Sequence, residues 1–282
     1  MRIQAATDPG TPDRPNEDHY LIDPAVGVVV LADGATARTD TGCAHGTAWY
    51  ARALTEALAA RAAAAGGPER LRFALLDAIE DTAAAHPGCD LAHPGTPSAT
   101  VAALAPYSES AVEVLVLGDA TVIVATETDT RAHTQSVDHI GQSERDAACA
   151  LPIGDPARED LLVAMKQVMH ARRNTDGGYW VAAADPGAAY RAYSRIVPVL
   201  GLRQVLLLSD GAAALSEVYG ATDAAGLLAL ALAEGPGAII KQVRAIEEGD
   251  PDARQYPRTK GSDDATAVLV DYTSEEPGDA TV

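Results

Sequence analysis

The 282-residue chain is short of cysteine, of basic residues and of long apolar runs, and each shortage excludes something. Its three cysteines, Cys43, Cys89 and Cys149, are scattered, odd in number and not in C-x-x-C spacing. That argues against a disulfide framework and against a zinc site, and leaves each as a small core residue. No apolar run approaches the roughly 20 residues needed to cross a bilayer. Met1-Arg2-Ile3-Gln4 has no apolar secretion segment, so the expectation is a cytoplasmic protein. Lys plus Arg number 21 against 40 Asp plus Glu, a formal charge of −19. Such a chain repels nucleic acid and anionic membrane, and no basic stripe overrides this. The seven histidines include no H-x-x-x-H or H-E-x-x-H pair. Each therefore reads as structural or solvated, with His45 the best placed for chemistry.

What the chain does have is apolar residues, 47% of the total, enough for a substantial core. Val28-Val29-Val30-Leu31 is a β-branched run that reads as a buried strand, and it ends in Ala32-Asp33-Gly34. A carboxylate at the end of a buried strand is costly unless a positive partner lies beside it. Val205-Leu206-Leu207-Leu208-Ser209-Asp210-Gly211 repeats the design. Asp-Gly alone is a common turn dipeptide. Two copies on matching strands point to one shared site and a divalent cation as the common partner.

Further strands are expected over 2–7, 20–23, 98–104, 112–117, 121–126, 130–137, 179–184 and 265–272. The runs 112–117 and 121–126, on either side of Gly118-Asp119-Ala120, read as a hairpin. Helical periodicity covers 44–65, a stretch from about Pro68 to Ala85, 159–173, 224–232 and 236–247, with a helical turn in 186–195. Residues 138–152 read as irregular. Strands come in runs broken by helix pairs, unlike the alternation of a doubly wound parallel sheet. The expectation is an α+β fold with antiparallel sheets and outer helices, one domain over 1–272 and a tail over 273–282.

Several acids cluster at the ends of apolar runs: Glu17 and Asp18, Asp33, Asp119, Asp210, and Asp263 with Asp264. Strand ends from different parts of a sandwich can converge on one edge and supply the oxygen ligands hard divalent cations require. Asp119 and Asp264 also fit ordinary turn positions.

Arg14-Pro15-Asn16-Glu17-Asp18, Ala32-Asp33-Gly34, Pro97-Ser98-Ala99-Thr100, Leu117-Gly118-Asp119, Leu208-Ser209-Asp210-Gly211 and Ser262-Asp263-Asp264-Ala265-Thr266 occur in this order. In that order they resemble the metal-dependent (PPM, type 2C) Ser/Thr protein phosphatases over nearly the whole chain. Gly42-Cys43-Ala44-His45-Gly46 and Gly177-Gly178-Tyr179-Trp180 are most similar to a compact actinobacterial branch of that family. The resemblance implies an αββα sandwich of two antiparallel β-sheets flanked by helix pairs, with two Mn²⁺ or Mg²⁺ ions at one edge. It implies that Asp33 bridges both ions, that the Gly34 carbonyl binds one, and that Asp210 and Asp263 complete the other. Glu17 and Asp18 would hold metal-bound waters, Asp119 would help hold a third, weaker ion, and Arg14 would bind the phosphate. Asp33, Asp210 and Asp263 would carry catalysis by activating a water between the ions.

The sequence departs from the pattern in several places: Arg14 lies one residue closer to Asp18 than in many relatives, and no His follows Gly34 as a general acid. The loop after Gly34 is Ala35-Thr36-Ala37-Arg38, where relatives are glycine-rich; Arg38 there reads first as a solvated loop charge and second as a rival to Arg14 for phosphate. Ala120 replaces the usual Ser. Ala214 stands where many relatives have an Asp for the third ion. The expected function is hydrolysis of phosphoserine or phosphothreonine monoesters in a phosphorylated protein. The alternatives are a small phosphoester metabolite as substrate, or a catalytically silent regulatory or binding module. The segment 138–199 is expected to set substrate choice.

Overall fold

The computed structural model describes residues 1–64, 67, 69–137 and 139–273. The elements run β1 (Arg2–Asp8), β2 (Asp18–Asp23), β3 (Val28–Gly34), α1 (Thr47–Ala64), α2 (Arg70–Ala84), β4 (Ala99–Ser108), β5 (Ala111–Leu117), β6 (Thr121–Thr126) and β7 (Thr130–His133). They continue with α3 (Gln142–Cys149), α4 (Pro156–Arg172), a 3-10 turn (Pro186–Arg191), β8 (Tyr193–Pro198), β9 (Leu202–Leu208), α5 (Asp210–Glu217), α6 (Ala224–Glu234), α7 (Gly237–Gly249) and β10 (Ala265–Asp271).

Two five-stranded sheets form, in the orders β1-β10-β9-β6-β7 and β2-β3-β4-β5-β8, with antiparallel neighbours throughout. The alternation of β3 shows how the layers assemble. Val28, Val30 and Ala32 pack outward under α1 and α2, against Leu54, Leu58, Leu71 and Leu75. Val29 and Leu31 point inward and meet Val122, Val205, Leu207 and Val268 of the other sheet. A strand buried on both faces explains why its apolar run is continuous and not alternating. Leu206, Leu208 and Ile123 form the outer face of the second sheet, covered by α5, α6 and α7. The result is the expected αββα sandwich.

Strand parity fixes where the acids go. Asp33 has the parity of Val29 and Leu31, so it points between the sheets at their edge. Cross-strand pairing places Asp18 directly opposite Asp33.

Four sequence expectations are corrected. The stretches 112–117 and 121–126 are not a hairpin: β5 and β6 belong to different sheets, and Gly118, at φ +80°, carries the chain from one to the other. That is why Asp119 lies at the shared edge. The segment 179–184 is not a strand; it makes isolated bridges, Ala182 to Ala99 and Tyr179 to Arg173. Within 138–152 there is a helix, α3, which packs with α4 around Val137, Ile140, Leu162, Met165 and Met169 as a small separate core. The strand expected over 130–137 ends at His133. The second Asp-Gly opens α5, where the first leads into a loop. Ala65, Gly66, Pro68, Asp138 and residues 274–282, most of the expected tail, lie outside the described residues.

The cysteine expectation is also corrected. Cys43 and Cys89 do not fill the core separately: their Sγ atoms lie 3.5 Å apart, beside His45. No single described helix is long and apolar enough to cross a membrane; α6 and α7 pass such a test only as a pair bent by 115°, and both pack on the second sheet.

Candidate active site

The acids meet in a cleft of about 320 Å³ at the edge where the two sheets open. Asp33, Asp119, Asp210 and Asp263 line it, and the α3–α4 segment forms its opposite wall through Met165, Lys166 and Met169. Gly34 lets β3 close against the amino-terminal loop. A Cβ there would lie 2.6 Å from Thr47 Cγ2 and 2.7 Å from the Glu17 carbonyl oxygen, which accepts a 3.1 Å hydrogen bond from Gly34 N–H.

Within the group, the Asp210 backbone N–H donates to Asp33 Oδ2 at 3.2 Å. Asp210 is thereby anchored at the first turn of α5, where the helix dipole favours a carboxylate. Asp264 is fully engaged elsewhere. Its two oxygens accept from the backbone N–H groups of Gly10, at 2.8 Å, and Glu17, at 2.6 Å. It pins the loop that precedes β2, and its neighbour Asp263 is the acid that faces the cleft.

Such crowding is unfavourable without cations. Burial first, then Asp210, Asp18, Asp263 and Asp119, push the Asp33 carboxyl well above the ordinary carboxylate range. Burial, then Asp263, raise Asp210 to about 6 despite Lys260. Asp18 is raised to about 8, chiefly by burial; the nearby Thr266 and Ser209 hydroxyls offset only part of it. Neither oxygen of Asp18 has a hydrogen-bond partner in good geometry. A buried carboxylate with orphaned oxygens, facing another carboxylate across a strand pair, fits a site built around bound cations. An all-oxygen donor set suits Mg²⁺ or Mn²⁺.

The remaining expected site residues are placed as follows. Glu17 accepts a 2.5 Å hydrogen bond from the Thr36 hydroxyl, so the unusual loop after Gly34 is stitched to the acidic edge. Arg14 does not line the cleft; it lines a neighbouring hollow with Gly10, Thr11 and Gly261. Arg38 does line the cleft, but its guanidinium is paired with Glu159 of α4 at 2.7 and 2.8 Å. His45 does not line the cleft. Ala214 does, from α5.

Two residues went unnoticed in the sequence. Lys260 donates to Asp263 Oδ1 at 2.5 Å and to the Thr36 hydroxyl at 2.7 Å. Lys166 projects from α4 into the cleft; burial first, then Lys260 and Arg38, lower its pKa. Lys260 lies three residues before Asp263, a spacing that gives a weak signal at best; Lys166 has none, because α4 is brought to the acids by tertiary packing alone.

No protein-family model matches the chain, and no curated protein matches it. Solved structures do. A bacterial serine phosphatase is 17% identical, with 98% of this chain and 99% of that one covered, at a TM-score of 0.57. The PPM Ser-Thr phosphatase MsPP of Mycobacterium smegmatis, in complex with cacodylate, is 19% identical over 96% and 98%, at 0.54. A serine/threonine phosphatase of Staphylococcus aureus is 16% identical over 97% and 96%, at 0.56. The chain has the fold of the PPM-type Ser/Thr phosphatases, end to end.

Proposed function

We propose that this chain is a metal-dependent phosphomonoesterase of the PPM type that hydrolyses phosphoserine and phosphothreonine in proteins. The observation that carries the reading is the set of buried acids at the sandwich edge, one of them with both oxygens unpartnered. Asp33, Asp210 and Asp263, with the Gly34 carbonyl, would hold two Mn²⁺ or Mg²⁺ ions, and Asp119 would contribute to a third, weaker one. When bound, the ions supply an activated water and neutralise the phosphoryl oxygens. Asp18 and Glu17 would orient waters from beneath and beside the ligands. Lys166 reaches the cleft from the wall opposite the acids and is the cation best placed to meet a phosphate; Arg14, from its neighbouring hollow, would bind the more distant part of the substrate.

The experiment compares p-nitrophenyl phosphate, a phosphothreonine peptide and a panel of small phosphoesters, with Mn²⁺, with EDTA, and in Asp33→Asn. Turnover that needs Mn²⁺ and Asp33 supports the reading, and turnover indifferent to Mn²⁺ overturns the mechanism. Preference for a small phosphoester would assign a metabolite substrate instead.

A second reading is favoured by a separate observation: the Lys260 ammonium is ion-paired with Asp263 and raised in pKa by Asp263 and Asp210. A lysine in that position can balance the acids without metal, as a catalytically silent binding module would require. Calorimetric titration with Mn²⁺ separates the two. A silent module shows no Mn²⁺ binding, or binding with no turnover of any ester.

A further inference from the structure

Outside the acidic cleft, three side chains from two loops, Cys43, His45 and Cys89, bring their ligand atoms within 4.8 Å of one another, and His86 packs beside them. Cys43 and His45 come from the stretch between β3 and α1, and His86 and Cys89 from the stretch after α2. The separations are 3.5 Å between the two Sγ atoms, 3.7 Å from Cys43 Sγ to His45 Nδ1, and 3.4 Å from Cys89 Sγ to His45 Nδ1. Zinc bonds of ~2.3 Å to sulfur and ~2.0–2.1 Å to nitrogen, set tetrahedrally, place ligand sulfurs ~3.8 Å apart and sulfur and nitrogen ~3.6 Å apart. The observed triangle has those dimensions. A disulfide needs its sulfurs at ~2.05 Å.

His86 fixes the ring of His45 by packing against it. Its ring is 5% exposed and stands edge-on to His45 with centroids 5.3 Å apart. Its Nδ1 lies 2.6 Å from the Thr82 carbonyl oxygen, which can only accept, so Nδ1 carries the proton and Nε2 the lone pair. That Nε2 is buried and has no partner. The ring also packs edge-on against Trp49, with centroids 4.4 Å apart, and stands beside the cluster without joining it. Cys43 Sγ also accepts from the His45 backbone N–H at 3.4 Å, a contact that stabilises a thiolate.

We propose that Cys43, His45 and Cys89 hold a Zn²⁺ ion at a site distinct from the acidic cleft, with the fourth position left to water. Sulfur and imidazole donors select Zn²⁺ over the hard cations suited to the carboxylates. Binding displaces the two thiol protons to solvent. The ion ties together loops already joined by a 2.9 Å hydrogen bond from Asp90 N–H to the Gly42 carbonyl. Farther along, the same two loops provide Ala35 to Thr39 and Gly95 to Ser98 of the cleft wall. The zinc therefore braces the cleft through the loops that line it. The sequence hid it because Cys43-Ala44-His45 and Cys89 lie far apart in the chain and match no familiar spacing.

The test uses the full chain, expressed with zinc in the medium and kept reduced. After dialysis against EDTA to strip weakly held cations, elemental analysis should give about one zinc per chain. Cys43→Ser and Cys89→Ser should lose it, and Cys149→Ser should keep it. His45→Gln should release zinc to a chromogenic chelator at least tenfold faster than the parent. Should the serine variants fail to fold, exchange of Co²⁺ into the parent chain gives the answer alone: thiolate-to-cobalt charge transfer in the near ultraviolet, with intense tetrahedral ligand-field bands, arises only at a cysteine site. A zinc-free chain with three reactive thiols and no cobalt charge transfer overturns the proposal. So does a Cys43–Cys89 disulfide in the reduced preparation, zinc retained in both serine variants, or zinc released no faster from His45→Gln. None of these readouts depends on phosphatase activity.

Discussion

Lys260 and Asp263 form a 2.5 Å ion pair at the mouth of the acidic cleft, with both side chains about one-third exposed or less. This lysine and a bound cation would share one carboxylate, so they compete for it. Such a partly screened pair is worth about 1 kcal/mol or less. Lys260→Met should therefore tighten Mn²⁺ binding by up to about fivefold, read by calorimetry. If kcat/KM for a phosphopeptide falls at saturating Mn²⁺ in the same variant, the ammonium also meets the substrate.

Removing a ligand acid should separate stability from activity. Asp33→Asn removes the ionisable group whose charge burial and its acidic neighbours oppose most. The metal-free variant should melt higher than the metal-free parent, by about 2–4 °C for each kcal/mol of repulsion relieved. It should also lose the Mn²⁺-induced rise in Tm and the Mn²⁺-dependent turnover. A variant that melts lower without metal and still responds to Mn²⁺ would place the ions elsewhere.

The same acids set a pH dependence with a defined sign. Asp210, at about 6, and Asp18, at about 8, hold protons in the folded state that they release when unfolded, where an Asp titrates near 3.8. Their contribution to stability is full below the unfolded value and is lost as pH rises through the folded ones. His170, lowered to about 4 chiefly by burial, works in the opposite direction between about 4 and 6.5. His170 lines the same cleft, but its window closes near pH 6.5, so above that pH the difference in Tm with and without Mn²⁺ reports the acids. That difference should grow steadily from pH 6.5 to pH 8, and a difference that is flat or shrinks would contradict the raised pKa values.

How much of this was legible beforehand depends on whether a feature is local. The layered sandwich could be read because β3, β9 and β10 carry uninterrupted apolar runs, and the acids because each ends or precedes one. The Gly118-Asp119 crossing could not, since a glycine-centred turn looks alike whether the next strand stays in its sheet or enters another. The helix α3 has little apolar periodicity of its own and buries mainly Ala148. Its place is fixed by contacts with α4, which no local pattern encodes. Lys166, Lys260 and the Cys–His group share that origin: each is brought to its neighbours by chain segments distant in sequence.

Arg38 and Glu159 make a bidentate bridge from the loop after β3 to α4. Glu159 is more than half exposed, so its loss should cost well under 1 kcal/mol of global stability. Its local effect should be larger, because few other polar contacts tie α4 to that loop. Glu159→Ala should speed amide hydrogen exchange in 156–172 several-fold and raise KM with kcat nearly unchanged. The exchanged pair, Arg38→Glu with Glu159→Arg, should restore protection. Failure of that double variant to recover would show that Arg38 serves the cleft directly.

Gly211 offers the sharpest steric test. A Cβ built there falls 2.1 Å from the Asp264 carbonyl oxygen and 3.3 Å from Asp263 Cβ. Real Cβ atoms do not approach a backbone oxygen so closely, and neither partner is a flexible side-chain tip. Gly211→Ala must push the first turn of α5 away from the 263–264 strand entrance, which moves Asp210 off Asp33 and Asp263 out of line. The substitution otherwise favours the helix, since Ala exceeds Gly in helix propensity by about 1 kcal/mol. A gain in Tm with undiminished Mn²⁺ affinity would mean that the helix and strand are not packed as closely as described. The expected result is a loss of several degrees in Tm together with at least tenfold weaker Mn²⁺ binding, because the same backbone contact positions both acids.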